Sequence, residues 1–502
     1  MMHALLRDFD ISPLVPEEYA AYRPLVAETM VFFVERLSPA RLMEILAAQN
    51  RLAPDASLIQ RLGALLHFCP TLHKLGQLLA RNQRLSPALR ERLQTLESME
   101  PITPLFSVMP SIARELGSHV SSEIRLAQRP LAEASVAVVV PFFHRSLEET
   151  RAFDSQGGVL KVLKPGIEER LEEELEIWSA VGVFLDERCE ELGLPTLHYA
   201  ETLDAVRELL SNEIKLDREQ RNLDAAARLY AGQESIQIPS LLPFSTPRIT
   251  AMERISGSKV TEARELSEQA RKDLATTVIN TLIVRPACSN EHSAMFHADP
   301  HAGNLFVTDD NRLAVLDWSL VGYLGKRERE LLAQIFLGAI TFDVSRVVRA
   351  IEALACWRPN HALVQEIAAA ALRRLHPHGF PGFDWLVSLL DDAKILAEVR
   401  FPRDLLLFRK SILTLEGVIA DISMNCRIGK VLPISAVHEF LHELLNRSTC
   451  SPLSRSFGTH VSNFDLLSLY WSLPLGVGRR CLDLMELRFG THEEKNIPPP
   501  KM

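Results

Sequence analysis

Between Phe296 and Ser319 the sequence sets three oxygen-bearing side chains at a spacing suited to a metal-bound phosphate. Asp299 and Asn304 stand five residues apart in Phe296-His297-Ala298-Asp299-Pro300-His301-Ala302-Gly303-Asn304, and Asp317 opens Asp317-Trp318-Ser319. A loop, a short hairpin and a second loop would return the chain to nearly the same place. A carboxylate and an amide oxygen are hard ligands suited to Mg²⁺ carrying nucleotide phosphates. A second carboxylate beside them could orient or deprotonate an acceptor. Taken singly, each aspartate could as well cap a turn; taken together, with a hairpin between them, they favour the metal reading. His292, His297 and His301 raise a zinc or metal-hydrolase alternative. His297 and His301 would share a face only on a helix, which Pro300 and Gly303 oppose, so structural histidines are the simpler reading.

Lys161, in Val159-Leu160-Lys161-Val162-Leu163, occupies a predicted strand among apolar neighbours. An inward lysine needs a phosphate or a carboxylate; an edge-strand lysine facing water is the alternative. Other elements must position these groups. Strands are predicted at 134–140, bounded by Pro130 and Pro141, and at 248–252, with a hairpin of 305–307 and 313–316. Long helices are predicted at about 167–192 and 202–231, and helices from about 260 to the end apart from that hairpin. The first 115 residues read as helices, one capped by Ser38-Pro39 and one running through Leu72, Leu75, Leu78 and Leu79. The acidic run Glu168 to Glu174 reads as solvated first turns of a helix, where it complements the dipole. Leu469-Tyr470-Trp471 and Leu473-Pro474-Leu475 before Arg479-Arg480 read as a helix packed inward, with docking to a membrane surface as the alternative.

Composition bounds the rest. The 502 residues are 47% apolar and 24% charged, ordinary values for a globular chain of several domains. The net charge of −9 argues against a generic nucleic-acid binder. Seven scattered cysteines without a Cys-x-x-Cys suggest a reducing compartment. No run of about 18 apolar residues is present, and the first residues lack a signal-peptide pattern, so the expectation is a cytoplasmic protein without a transmembrane helix.

The combination resembles the UbiB/AarF-type atypical protein-kinase-like family, associated with isoprenoid-quinone biosynthesis. Lys74-Leu75-Gly76-Gln77 resembles the family's Lys-x-Gly-Gln element. Ala132 to Ala137 resembles its alanine-rich nucleotide loop, and Lys161 the strand lysine that pairs with phosphates. Glu219 and Asn222 resemble the helix carrying that lysine's partner, and Met252-Glu253 falls at the hinge between lobes. His-Ala-Asp-Pro-His-Ala-Gly-Asn resembles the catalytic loop, Asp317 the metal-binding loop, and Phe401-Pro402 through Leu415-Glu416-Gly417 a C-lobe segment.

The resemblance implies a helix-rich α+β, two-lobed protein-kinase-like fold with an N-terminal helical extension. The domains would be extension 1–115, N-lobe 116–255, C-lobe 256–440 and helical tail 441–502. It implies Mg²⁺ and ATP, with Asp299 as base or water positioner, Asn304 and Asp317 on the metal, and Lys161 on phosphates with Glu219 as partner. Ala132, Ala134, Ser135, Val136, Ala137, Met252 and Glu253 would line the nucleotide. Lys74 and Gln77, with Glu213 and Lys215, would form a regulatory lid. The implied activity is an Mg-dependent ATPase or phosphotransferase supporting isoprenoid-quinone or related lipid biosynthesis; the alternative is a nucleotide-binding scaffold without phosphoryl transfer. Candidate partners are a lipid or quinone precursor and, peripherally, a membrane surface.

Three departures stand out. Glu213-Ile214-Lys215 replaces the usual Glu-x-Asp, Asp317-Trp318-Ser319 replaces Asp-Phe-Gly, and Ala302 stands where proline is common. On a continuous helix Lys215 would share a face with Glu219 and compete with Lys161 for it, while Glu213, about 240° away, would face elsewhere.

Overall fold

The computed structural model describes residues 17–56, 58–79, 103–117, 124–144, 157–194, 210–263, 266–375 and 381–472, with single positions at 15, 199, 200, 203 and 207. In chain order the helices are α1 (Arg23–Glu35), α2 (Pro39–Asn50), α3 (Leu58–Phe68), α4 (Pro70–Leu79), α5 (Leu105–Leu116), α6 (Ile167–Glu191) and α7 (Leu216–Tyr230). They continue as α8 (Glu268–Ile279), α9 (Lys326–Ile340), α10 (Val344–Leu354), α11 (His361–Arg374), α12 (Phe383–Leu396), α13 (Arg403–Ile422) and α14 (Ile428–Thr449). The strands are β1 (Ile124–Leu126), β2 (Ala132–Glu133), β3 (Ala137–His144), β4 (Gly157–Leu163), β5 (Ile236–Gln237) and β6 (Ile249–Glu253). After them come β7 (Gly257–Lys259), β8 (Ser293–His297), β9 (Leu305–Thr308), β10 (Leu313–Val315) and β11 (Val321–Gly325). This is a helix-rich α+β chain. It forms two compact units, one up to Gly257 together with Thr308–Ser319, the other Ser258–Val307 with the chain from Leu320 onward.

The first unit is built on an antiparallel sheet in the order β1-β3-β4-β6, with β2 also paired to β3. Alternation drives one face of Val138, Val140, Phe142, Leu160, Val162, Ile249 and Ala251 into a core shared with Val108, Ile112 and Leu116 of α5. Lys161 sits opposite Val139 on one side and Thr250 on the other, so its strand is central and the edge-lysine alternative falls away. Helices α1 to α4 pack on α6 through Phe33, Val34, Leu37, Ile45, Leu65 and Cys69 against Ile177 and Val181.

Several expectations change here. The strand predicted from Ala134 begins at Ala137, because the Ala134 N–H donates to the Ala137 carbonyl at 2.8 Å and turns the chain first. The helix predicted over 202–231 is interrupted: the described positions 203, 207, 210 and 211 are helical, a turn follows over 212–214, and α7 begins at Leu216. The acidic run is only partly solvated. Glu174 is fully buried, bonded to Arg41 and accepting from the Thr71 N–H at 2.9 Å, and Glu173 meets Arg41 at 3.0 Å. An ion pair therefore fastens α2 and the start of α4 to α6.

In the second unit β8 and β11 pair antiparallel, with His297 opposite Val321. Neither strand was predicted; each is only five residues long, too short to show a period. Helix α14 runs unbroken through residue 440, so the predicted start of a tail at 441 falls inside it. Tyr470 and Trp471 are exposed, against the expected inward packing, and residues 473–480 of that segment lie outside the described residues. Among the described residues no helix is long and apolar enough to cross a membrane.

Candidate functional site

In the first unit, β4 carries Lys161 to the first turn of α7. Its Nζ lies 2.7 and 2.8 Å from the two carboxylate oxygens of Glu219 and 3.4 Å from Asp317 Oδ2. Lys161 and Glu219 are buried, whereas the Asp317 side chain is 33% exposed. One ammonium thus serves two carboxylates. Burial opposes the Lys161 charge, but Asp317 and Glu219 outweigh it and hold its pKa above the usual lysine value. Burial likewise works against the Asp317 carboxylate, yet Lys161, Ser319 and Lys74 hold its pKa well below the ordinary range. Glu219 is pushed up to about 7 by burial, with Lys161 opposing and the Asp317 charge adding.

The backbone around Asp317 is held in an unusual shape. Asp317 has φ 53°, a left-handed conformation that costs an ordinary L-residue of order 1 kcal/mol or more. The Ser319 N–H donates to Asp317 Oδ1 at 3.2 Å. Trp318 is buried, its indole donates to the Val315 carbonyl at 3.1 Å, and its own carbonyl accepts from Asn222 Nδ2 at 2.9 Å. Helix α7 therefore holds both ends of the cluster, Glu219 on the lysine and Asn222 on the loop after Asp317.

The turn between β2 and β3 docks on the same helix start. Val136 and Ala137 pack with Leu163, Ile167 and Leu216, and the Lys164 N–H donates to the Val136 carbonyl at 2.9 Å. Ala132 pairs with Val139. Glu133, between the alanines, is a buried anchor missed by sequence reasoning: it accepts from the Thr103 N–H and hydroxyl, both at 2.8 Å, and meets Lys164 at 2.7 Å. Burial would raise its pKa, but Lys164 and Thr103 bring it down to about 2. Met252 and Glu253 end β6, where Glu253 Oε1 accepts from Gln237 at 2.7 Å.

Lys74 on α4 pairs with Glu213 at 2.8 Å, the two side chains 20% and 18% exposed, and Ser135 Oγ donates to Glu213 at 3.1 Å. Glu213 faces the cluster because it precedes α7, so the helical-wheel angle does not apply to it. Lys215 is a correction. It is the non-helical residue before α7, exposed, and donates to Asn212 at 3.2 Å, so it does not share a helical face with Glu219. Gln77 falls on α4, and its side chain lies outside the described residues.

In the second unit, Asp299 follows β8. Its N–H donates to His297 Nδ1 at 3.2 Å, and its carbonyl accepts from Asn304 Nδ2 at 3.1 Å. His301 Nδ1 accepts from the Gly303 N–H at 3.1 Å. Both imidazoles therefore serve the loop as acceptors, and no group of three His, Cys, Asp or Glu suited to a metal occurs among the described residues. The Asp299 carboxylate meets Lys410 of α13 at 3.0 Å. Lys410 lies within the segment Phe401 to Gly417, where its sequence neighbours do not mark it. Asn304, with its NH₂ end on a carbonyl, has its amide oxygen as the atom suited to a cation, and Asp317 offers a partly exposed carboxylate. Both are hard donors that fit Mg²⁺.

The family model described as an ABC1 atypical kinase-like domain matches residues 96–351. A probable protein kinase UbiB of Xanthomonas campestris pv. campestris (strain B100) is 26% identical over 473 residues, covering 88% of this chain and 79% of that one. The protein of the same name from Xanthomonas oryzae pv. oryzae (strain MAFF 311018) is 26% identical over 485 residues, covering 90% and 81%. The solved complex of Rv3197 with erythromycin from Mycobacterium tuberculosis aligns with a TM-score of 0.48 at 19% identity, covering 69% of this chain and 86% of that one.

Proposed function

We infer that this chain, which belongs to the ABC1 atypical kinase-like family, binds Mg-ATP and either hydrolyses it or transfers its terminal phosphoryl group. The observation that carries this reading is the buried Lys161 held between Glu219 and the partly exposed Asp317. A buried ammonium fixed by one carboxylate is preset to meet phosphate oxygens, and fixing it beforehand avoids an ordering cost on binding. The turn Ala134–Val136 offers backbone and small side chains to the nucleotide, with Ala132, Ala137, Met252 and Glu253 as further lining residues.

Asp317 and Asn304 would hold Mg²⁺, which neutralises charge on the phosphates when bound. Asp299 would accept the proton of the attacking hydroxyl or water. The bond from that oxygen to the terminal phosphorus forms, the bond to the bridging oxygen breaks, and the electron pair leaves with ADP. Lys74, tied to Glu213, would lie over the phosphate region and restrict large acceptors, with Gln77 on the same helix. A role in isoprenoid-quinone or related lipid biosynthesis, with a lipophilic precursor and a membrane surface as partners, is the accompanying proposal from family membership and from relatives named UbiB.

The scaffold reading draws on one observation. The Ser319 N–H already occupies an oxygen of Asp317, and serine there replaces the flexible glycine that would let the loop rearrange. Asp299→Asn decides between the two. If the chain is an enzyme, this variant binds ATP as wild type does and loses at least about 100-fold in turnover, the usual share of a general base. Turnover is measured with and without lipid and quinone precursors, with protein phosphorylation followed in parallel. Unchanged biological function in the Asn variant sinks the enzyme reading and favours the scaffold.

A further inference from the structure

Two consecutive residues of α13 fasten the loop that carries Asp299. Ser411, fully buried, donates its hydroxyl to the His297 carbonyl at 2.9 Å, and Lys410 places Nζ 3.0 Å from Asp299 Oδ1. The helix is seated firmly for this task. Phe408 packs edge-on against Phe296 of β8 at 5.1 Å and against Phe383 of α12 at 6.3 Å. The backbone of the loop is thus already fixed by Ser411, by His297 beneath the Asp299 N–H and by Asn304 on the Asp299 carbonyl. Neutral hydrogen bonds suffice for that shape.

The ammonium does something those groups do not. Lysine carries three N–H donors, and a single carboxylate contact engages one of them. The Lys410 side chain is 31% exposed and that of Asp299 15% exposed, so the pair is partly open to solvent. A cation fixed beside the proposed base stands where negative charge passes during phosphoryl transfer, and preorganised charge of this kind is effective because it needs no reorganisation.

We propose that Lys410 is a further catalytic residue, its ammonium bridging the Asp299 carboxylate and the terminal phosphoryl group of ATP. The inference rests on the nucleotide reading above. Lys410 gives up no proton in the step; it neutralises the transferring oxygens, while the acceptor proton goes to Asp299 and the electron pair leaves with ADP. Because ADP lacks the terminal group, the ammonium distinguishes the two nucleotides, which a loop anchor cannot do.

The test is calorimetric titration of the full chain with Mg-ATP and Mg-ADP, for wild type, Lys410→Met, Lys410→Arg and Ser411→Ala. In Lys410→Met, ATP affinity falls about tenfold or more, the loss expected for one charge-assisted hydrogen bond, while ADP affinity stays within about twofold. Turnover falls about 100-fold, as for removal of one charge-stabilising donor. Lys410→Arg restores the preference for ATP, and Ser411→Ala changes both affinities equally or neither. Should Lys410→Met unfold, Lys410→Gln gives the same readout. Equal losses for ATP and ADP, or none, in the Lys410 variants overturn the inference while leaving the nucleotide reading standing. Failure of the wild type to bind either nucleotide removes both.

Discussion

Lys161 and Lys410 each face a carboxylate proposed to act on phosphate, but their surroundings differ. Lys161 is buried on a central strand and serves two carboxylates; Lys410 stands partly exposed on a helix and serves Asp299. Burial makes the first cluster interdependent: each charge there is tolerated because another compensates it, so a change intended for function also acts on the fold. The lysine of the second pair stands nearer water than Lys161, so its charge is solvated in part. Its removal should act on function with little effect on stability.

The largest effect that could break this contrast is Lys161→Met. It removes the ammonium between Glu219 and Asp317, and the expected loss is about 3–5 kcal/mol, typical of breaking a buried pair. Denaturant unfolding of wild type, Lys161→Met and Lys161→Met/Glu219→Gln measures it. The double variant should recover part of the loss, because the charge left uncompensated is then absent. The cost should also be greater at pH 8 than at pH 5: burial raises Glu219 to about 7 even with Lys161 opposing, so without the lysine its carboxyl lies higher and must take up a proton on folding at the higher pH. A single variant as stable as wild type would show that burial does not couple these groups.

A smaller effect sharpens the contrast within α13 itself. Glu416, six residues beyond Lys410, faces Asp384 rather than a cation, and its pKa is raised to about 8 by burial and that neighbour. A carboxyl whose folded pKa lies above its unfolded value keeps a proton that the unfolded chain releases. Its favourable contribution is present below the unfolded value near 4.5 and is lost as pH rises toward 8. Glu416→Gln should therefore raise the melting temperature by roughly 2 °C at pH 8 and leave it unchanged at pH 4.5. Equal shifts at both pH values would contradict the assignment.

The smallest effect belongs to Lys215. Exposed, outside α7 and bonded to Asn212, it makes no contact that Lys215→Asp would remove from Glu219. ATP affinity and turnover in that variant should stay within about twofold of wild type, as for most surface changes. A severalfold change would mean that its charge acts on Lys74 or Glu213 through space.

What could be read in advance followed physical lines. Strands Gly157–Leu163 and Ile249–Glu253 and helix Ile167–Glu191 carry strong apolar patterns bounded by Pro and Gly, and they lie within two residues of expectation. Lys161 was legible because a lysine in an apolar strand demands a counter-charge, Asp317 through its grouping with Asp299 and Asn304, and Glu219 only through the family resemblance. Lys410 was not, because its partner is 111 residues away and nothing local to α13 announces it. The wheel reading at Lys215 fails because it needs a continuous helix into α7, whereas the chain turns over 212–214 and Lys215 is non-helical. Glu133 escaped notice for a related reason: its burial depends on Thr103 and Lys164, which only the fold brings to it.

The central claim, a phosphate-facing lysine beside a metal-binding carboxylate, is tested most directly by thermal shift with ATP in the presence and absence of Mg²⁺. Wild type should be stabilised by ATP, and more with Mg²⁺, by mass action on the folded state. Asp317→Ala should lose the Mg²⁺-dependent increment. An increment of wild-type size in Asp317→Ala would contradict the account.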